Sequence, residues 1–257
     1  MKCFIFSIVA FLLGGTFVHA QDAAAIIERS RNRIQSETVS TRFRMVIRGR
    51  GDSVSERQMD QYSKKDTGGN NRSVVVFGEP ATVRGTRFLT IENQNGPNEQ
   101  WIFLPSLGRI RRIAAAEGSS SFVGTDFSYD DLASTDRRSN LDNHTILREE
   151  SLNGRACYVI ESTPIDTSYQ YSRMVQWIDR ENFVPHKVEL YDRRGNQVKL
   201  LEILELREVQ GRLSPTVTRM ASLAAGTSTT LNVVNLRYDD PIPESVFTTN
   251  FLETGRP

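Results

Sequence analysis

The first indication of the fold comes from residues 39–48, which read VSTRFRMVIR. Apolar side chains at Val39, Phe43, Met45 and Ile47 alternate with polar ones. This period of two predicts a strand with one buried and one exposed face. Working outward, the same pattern recurs between turn sequences rich in glycine and asparagine, such as Asn153-Gly154. We therefore expect mainly β structure built from hairpins.

Further strands are predicted on both sides of a different central segment. Before it they fall at residues 56–64, 72–77, 86–91, 99–104 and 109–113. After it they fall at residues 144–149, 155–162, 173–178, 185–191, 197–209, 214–223 and 227–237. One helix, residues 22–36, precedes them all. The succession predicts a single antiparallel sheet of about eleven strands, which would curl and either close or be plugged.

The central segment carries aromatic residues in a polar context. Residues 122–132 read FVGTDFSYDDL and follow a run of small residues. Asp126 or Ser128 is placed to cap a short helix over residues 129–133. The acids here lack the ligand spacing of a calcium loop, so we interpret them as capping or solvated groups. Near the end, residues 241–247 predict a turn that packs Val246 and Phe247 onto the body.

The first twenty residues have the layout of a secretory signal peptide. Lys2 precedes an apolar run over residues 4–18, and Val18-His19-Ala20 offers a cleavage point after Ala20. The run is shorter than the roughly 20 residues of a bilayer-spanning helix, although an uncleaved anchor is the alternative. We predict a signal peptide over residues 1–20 and a single domain over residues 21–257.

Composition and missing motifs exclude several function classes. The formal net charge is +1, which argues against a nucleic-acid binder. The chain after residue 20 keeps one cysteine, Cys157, and two histidines, His144 and His186. It contains no zinc-binding motif, no P-loop and no GxSxG nucleophile motif. We expect no enzyme activity, no catalytic residue, no metal and no cofactor.

Four arginines share the polar face of the first strand, three more lie in residues 109–113, and two interpretations of the whole set stay open. They form a basic surface for anionic partners, or they pair with acids on neighbouring strands. The residues concerned are Arg42, Arg44, Arg48, Arg50, Arg109, Arg111 and Arg112.

A set of apolar side chains on the alternating strands and in the central segment also has two interpretations. They form an ordinary core, or they line a concave surface that accepts acyl chains. The set comprises Phe43, Met45, Ile47, Trp101, Phe103, Phe122, Phe127, Val175, Trp177, Val188 and Leu190.

Several segments together resemble a known family. They are residues 88–92, 99–113, 122–132, 177–185 and 240–247. In their order and in their amino-acid sequence they are similar to the outer-membrane lipoprotein-sorting (LolA-like) family, in its longer and largely uncharacterised bacterial branch. The resemblance covers nearly the whole chain after the signal peptide.

The resemblance implies an unclosed β-barrel with a helical lid and an apolar cavity. Family members carry lipidated proteins across the periplasm by shielding their acyl chains, without covalent chemistry. The eleven apolar residues become candidate lipid contacts, and Arg42, Arg44 and Arg48 become candidates for latching the lid or contacting a headgroup.

The expected function is therefore that of a monomeric periplasmic carrier for acyl chains of lipoproteins or phospholipids. An inner-membrane donor complex would load the carrier, and an outer-membrane acceptor would remove its cargo. The alternative is an envelope sensor or protein-interaction module of the same fold, which transports no lipid.

Overall fold

The structure, a computed structural model, describes residues 18–51, 53–93, 98–133 and 137–257. Most of the predicted signal peptide lies outside these ranges, so its cleavage stays a prediction. Within the described ranges, no helix combines the length and the apolar character needed to cross a bilayer.

One antiparallel sheet contains thirteen strands, rather than about eleven. The first six are β1 (Thr38–Arg48), β2 (Val54–Lys65), β3 (Asn71–Glu79), β4 (Arg87–Ile91), β5 (Glu99–Leu104) and β6 (Arg109–Arg112). The other seven are β7 (Asp142–Leu152), β8 (Arg155–Pro164), β9 (Arg173–Asp179), β10 (Pro185–Tyr191), β11 (Gln197–Val209), β12 (Arg212–Ser222) and β13 (Thr227–Tyr238). Polar segments such as β2 form strands because both of their neighbours supply hydrogen bonds.

The strand order explains why the sheet stays open. It runs from β6 through β1 to β13 and on to β7, so that two strands consecutive in sequence form its two edges. Pairing of β1 with β13 joins the two halves. The chain that links β6 to β7 must therefore pass from one edge of the sheet to the other. The unclosed antiparallel architecture implied by the resemblance is confirmed.

The connecting chain contains the insertion, which we define as residues 113–133. A 3-10 turn covers Ala115–Glu117. Helix α2 covers Tyr129–Ala133, as predicted. Its apolar side chains pack on one sheet face, together with Met45, Met59 and Phe77. We call this the concave face and the other the convex face.

The convex face of strands β3 to β5 is covered by the C-terminal segment. A 3-10 turn over Glu244–Phe247 packs Val246 and Phe247 against Val74, Leu89 and Phe103, which confirms the predicted turn. Helix α3 (Thr249–Thr254) follows, and the sequence analysis did not predict it.

Helix α1 covers Val18–Arg31, instead of residues 22–36. It ends earlier because the following residues turn away to reach β1, and Arg33 in this connection donates to the carbonyl oxygen of Leu213 on β12 at 2.7 Å. Ala23, Ile26 and Ile27 pack on the concave face of β8 and β9.

Candidate functional site

The insertion fills one end of the concave face with aromatic side chains. The Phe122 side chain is 1% exposed. Its ring centroid lies 5.7 Å from that of Phe77, 5.1 Å from that of Phe88 and 5.6 Å from that of Tyr129. Such spacings are typical of packed aromatic clusters. The insertion therefore occupies the apolar surface of strands β1 to β5.

Phe127 extends this cover to the other half of the sheet. It is buried against Met174, Leu190 and Met220, which belong to β9, β10 and β12. Two aromatic residues only five positions apart thus contact opposite halves of one curled sheet. The insertion spans the concave face as a lid would, but its side chains also fill the space beneath it.

Polar contacts from the concave face hold the backbone of the insertion. Arg57 on β2 donates to the Val123 carbonyl oxygen at 2.5 Å, and its guanidinium lies 5.9 Å from the centre of the Phe77 ring. On β5, Gln100 donates to the Tyr129 carbonyl oxygen at 3.1 Å. A hydrogen bond that involves a charged group contributes about 1.5–3 kcal/mol to stability.

Asp126 is a second point of attachment. Its carboxylate accepts hydrogen bonds from the hydroxyl groups of Thr227 and, at 2.7 Å, of Thr229 on β13. Its backbone N–H donates to the Thr229 hydroxyl oxygen at 3.0 Å. Asp126 is buried and bonded to the sheet, so the expectation that it caps α2 or stays solvated is wrong.

Asp131 joins the α2 end of the insertion to the sheet. Ser128 caps α2 by accepting from the Asp131 backbone N–H at 3.0 Å, while the Asp131 carboxylate accepts from the Ser128 N–H at 2.8 Å. The same carboxylate accepts from Lys199 at 2.6 Å and from the Tyr171 hydroxyl at 2.8 Å. Hydrogen bonding to this anion and burial raise the pKa of Tyr171, burial being the larger cause.

The predicted lipid-contact residues do not share one face. Seven belong to the concave face or to the insertion: Phe43, Met45, Ile47, Phe122, Phe127, Val188 and Leu190. Four lie on the convex face: Trp101, Phe103, Val175 and Trp177. The pleat causes the difference, because neighbours in a strand point to opposite faces.

The four convex residues have other partners. Phe103 lies under the C-terminal segment, with the Arg87 guanidinium 4.7 Å from its ring centre. Lys187 places its ammonium 4.0 Å from the ring centre of Trp177. These residues cannot line a cavity with Met45, which corrects the expectation of a single set. The other seven remain candidate lipid contacts.

The three candidate latch arginines also lie away from the insertion. Arg42 pairs with Asp60 at 2.7 Å, and Arg44 pairs with Glu56, all on the convex side of β1 and β2. Arg48 is exposed on the same side of β1. For Arg42 and Arg44, the interpretation as cross-strand pairs holds. Two other arginines do bind the insertion: Arg111 pairs with Glu117 at 2.5 Å, and Arg57 binds the Val123 carbonyl oxygen. Arg57 stands in a polar strand, where its only sequence signal is its spacing of two from Met59.

An apolar strip of the concave face is left partly uncovered. Phe43 lies opposite Val233, and Ile203 is on the same face of β11. All three side chains are partly exposed. The strip lies between Thr229, where the insertion binds, and Tyr238, which is buried at the opposite end of β13. Apolar surface of the concave face is therefore in contact with solvent at this strip.

A serine and a histidine meet elsewhere, in a pair the sequence analysis did not find. The His144 Nδ1 lies 2.8 Å from the Ser162 hydroxyl, and its Nε2 lies 2.8 Å from the Ser139 carbonyl oxygen. Ser162 is fully buried, so a substrate cannot reach it. The Ser139 hydroxyl donates to Glu28 at 2.8 Å, so this network fastens α1 to the sheet. In the described residues, no group of three His, Cys, Asp or Glu side chains is suited to a metal ion.

Replacing Arg57 with methionine should loosen the insertion and leave the sheet folded. The variant loses the bond to Val123 and keeps apolar contact with Phe77. We expect chymotrypsin to cleave within residues 122–132 about tenfold faster, since about 1.4 kcal/mol corresponds to a factor of ten. The control is Arg44→Met on the convex face. Equal cleavage rates in both variants would contradict the role of Arg57.

Asp130, beside the Asp131 attachment, should make stability depend on pH. Burial, and then the charge of Asp131, raise its pKa to about 6, against the opposing effects of Arg137 and Lys199. The folded state therefore binds more protons than the unfolded chain between pH about 4 and 6. Stability contributed by this group is present below that window and is lost as the pH rises through it.

Urea denaturation of Asp130→Asn tests this dependence. The variant should exceed the wild-type stability at pH 7.5 and match it more closely at pH 4. Asp192→Asn is the control, because hydrogen bonds from Asn196 lower the pKa of Asp192 and reverse the sign. A stability gain for Asp130→Asn that is the same at both pH values would refute the assignment.

Comparisons with known proteins place the chain in a family. A family model described as "Uncharacterized protein" matches residues 69–254. No curated protein sequence matches the chain. A DUF1329 family protein from Desulfovibrio piger is 27% identical, with a TM-score of 0.87 over 91% of this chain and 98% of that one.

Two further solved structures agree. A Vibrio parahaemolyticus domain named for outer membrane lipoprotein sorting is 28% identical, with a TM-score of 0.86 over 91% of this chain and 99% of that one. A LolA superfamily protein from Nitrosomonas europaea has the same fold, with 23% identity and a TM-score of 0.71 over 91% and 99% of the two chains. The chain therefore belongs to the family that the matching model describes, and it shares its fold with the outer-membrane lipoprotein-sorting (LolA-like) proteins that its sequence resembles.

Proposed function

We propose that this chain is a periplasmic carrier that binds acyl chains of lipoproteins or lipids against its concave face and delivers them towards the outer membrane. The observation that carries the proposal is the apolar concave face, covered by a separate segment that is attached through polar bonds. The name of the Vibrio parahaemolyticus relative, which refers to lipoprotein sorting, supports the same direction.

The insertion is suited to exchange with cargo. Its aromatic side chains Phe122, Phe127 and Tyr129 occupy the surface that acyl chains would take. Exposing three such side chains costs about 5–9 kcal/mol, at roughly 1.5–3 kcal/mol each. Burying about ten methylene groups contributes about 8 kcal/mol. The two quantities are similar, so cargo would be taken up and released reversibly.

The partly uncovered strip explains how exchange begins. An acyl chain that contacts Phe43, Val233 and Ile203 is already on the concave face before the insertion moves. It can then advance along β1 and β13 and displace the insertion stepwise. The concave residues Met45, Ile47, Val188 and Leu190 become contacts as the insertion leaves. No covalent step is needed.

The proposed route across the envelope has three steps: secretion, loading and removal of the cargo. The predicted signal peptide over residues 1–20 delivers the chain to the periplasm. An inner-membrane donor complex loads the monomeric carrier, and an outer-membrane acceptor removes the cargo.

One observation favours a second function. The face beneath the insertion is filled by the protein's own side chains, with Phe122 and Phe77 each 1% exposed. A face that stays filled would suit a sensor or protein-interaction module that transports no lipid. The two functions differ in whether the wild-type protein takes up acyl chains.

A pair of valine substitutions on neighbouring strands tests the carrier. Val233→Gln places an amide in the partly uncovered strip, whereas Val46→Gln places it on the convex face opposite Thr230. Titration with a triacylated lipopeptide, followed by native mass spectrometry, should show about tenfold weaker binding for Val233→Gln alone, because a polar group replaces apolar contact.

The same titration decides between the two functions. Binding of the lipopeptide to wild type, with no loss for Val46→Gln, agrees with the carrier. Failure of the wild type to take up either lipopeptide or phospholipid would refute the carrier and leave the interaction module. Equal weakening in both variants would refute the concave face as the binding surface.

A further inference from the structure

A polar cleft of about 460 Å³ opens beside the insertion. Three separate segments form its walls. They supply Ser119 and Asp130 of the insertion, Ser168 and Gln170 of the β8–β9 loop, and Arg193 and Arg194 of the β10–β11 turn. Ligand pockets have volumes of roughly 300–1,000 Å³, so the cleft has room for a small polar group.

The cleft contains one carboxylate that is available for a ligand. Asp192 is engaged in its own turn, where it accepts from the backbone N–H groups of Arg194 and Asn196, each at 2.9 Å. Among the described residues, by contrast, no donor bonds the Asp130 carboxylate. The carboxylate stands so close to Gly118 that a Cβ at position 118 would lie 2.3 Å from the Asp130 Oδ1. Only glycine at position 118 therefore leaves room for the carboxylate.

Positive charge stands at the rim of the cleft. Arg193 uses one nitrogen to donate to the Ser168 carbonyl oxygen at 3.0 Å, and no acceptor in the described part of the chain bonds its other guanidinium nitrogens, which leaves them for a ligand. Arg194 is exposed beside it. A guanidinium binds phosphate oxygens in a forked geometry that an ammonium does not provide.

We propose that this cleft binds a zwitterionic phosphoethanolamine group, with its ammonium on Asp130 and its phosphate on Arg193 and Arg194. The shared chemistry is an ammonium and a phosphate held a short distance apart. The identification of its source as a lipid headgroup rests on the proposed carrier function. The cleft thereby selects the class of cargo whose acyl chains the concave face receives.

The cleft is also coupled to the attachment of the insertion. Gln170 lines the cleft and donates to the Asp131 carboxylate at 3.1 Å, while it accepts from the Ser128 hydroxyl at 3.0 Å. Asp130 adjoins Asp131 in α2. A headgroup bound here therefore contacts the side chains that hold the insertion on the sheet.

Two short-chain lipids with equal acyl chains test the selection. Dihexanoyl phosphatidylethanolamine and dihexanoyl phosphatidylglycerol are titrated at pH 7.5, where Asp130 is ionised. We expect about tenfold tighter binding of the ethanolamine lipid to wild type and no preference in Asp130→Asn. The double variant Arg193→Gln, Arg194→Gln should weaken binding of both lipids. Arg207→Gln on β11, whose side chain pairs with Glu205 at 2.6 Å, is the control and should change neither.

Soluble probes separate this inference from the carrier function. O-phosphoethanolamine should bind the wild type, and Asp130→Asn should lose that binding. Inorganic phosphate binding as tightly as O-phosphoethanolamine would overturn the inference, and so would an unchanged lipid preference in Asp130→Asn. If O-phosphoethanolamine binds but neither short-chain lipid binds any better, the cleft is upheld and the carrier function fails. If both lipids bind alike, the carrier stands and this inference fails.

Discussion

The pairing of β1 with β13 is the contact on which the rest of the structure depends. It joins the start and the end of the strand series, and so it leaves β6 and β7 as the two edges. Consecutive strands that would otherwise pair as a hairpin are thereby separated by the whole concave face. The insertion between them must cross that face, which is why one segment contacts both halves of the sheet.

This topology gives the two faces different kinds of cover. On the convex face, the C-terminal segment and stacked cations such as Lys187 on Trp177 shield apolar side chains. On the concave face, α1 covers part of β8 and β9, and the insertion is attached through Arg57, Asp126 and Asp131 rather than through strand pairing. Bonds of this kind break one at a time at a few kcal/mol each. The concave face is therefore the one suited to exchange its cover for a ligand.

The sequence predicts individual elements well, because alternation and capping are local. Strands β5, β10 and β11 and helix α2 begin and end at the predicted residues. Assignment to a face fails where both faces are apolar. In β5, Ile102 packs under the insertion while Trp101 and Phe103 pack under the C-terminal segment, and alternation alone cannot say which face is concave.

Contacts between residues far apart in sequence could not be predicted, because they depend on the folded sheet and leave no local pattern. Arg57 acts on the insertion from a strand with weak alternation, and its partner is a backbone carbonyl with no sequence signature. Ser162 and His144 meet because β7 pairs with β8, and they serve α1 rather than catalysis. The polar cleft needs three loops that only the folded sheet brings together. Helix α3 has six residues, too few for a periodic pattern.

The proposed function requires that the insertion gives way to cargo on the concave face. Hydrogen–deuterium exchange of the wild-type protein, with and without a triacylated lipopeptide, tests it most directly. We expect faster exchange in residues 122–132 when cargo is bound, together with unchanged exchange in the C-terminal segment over residues 244–254. Bound lipopeptide with unchanged or slower exchange in residues 122–132 would contradict it.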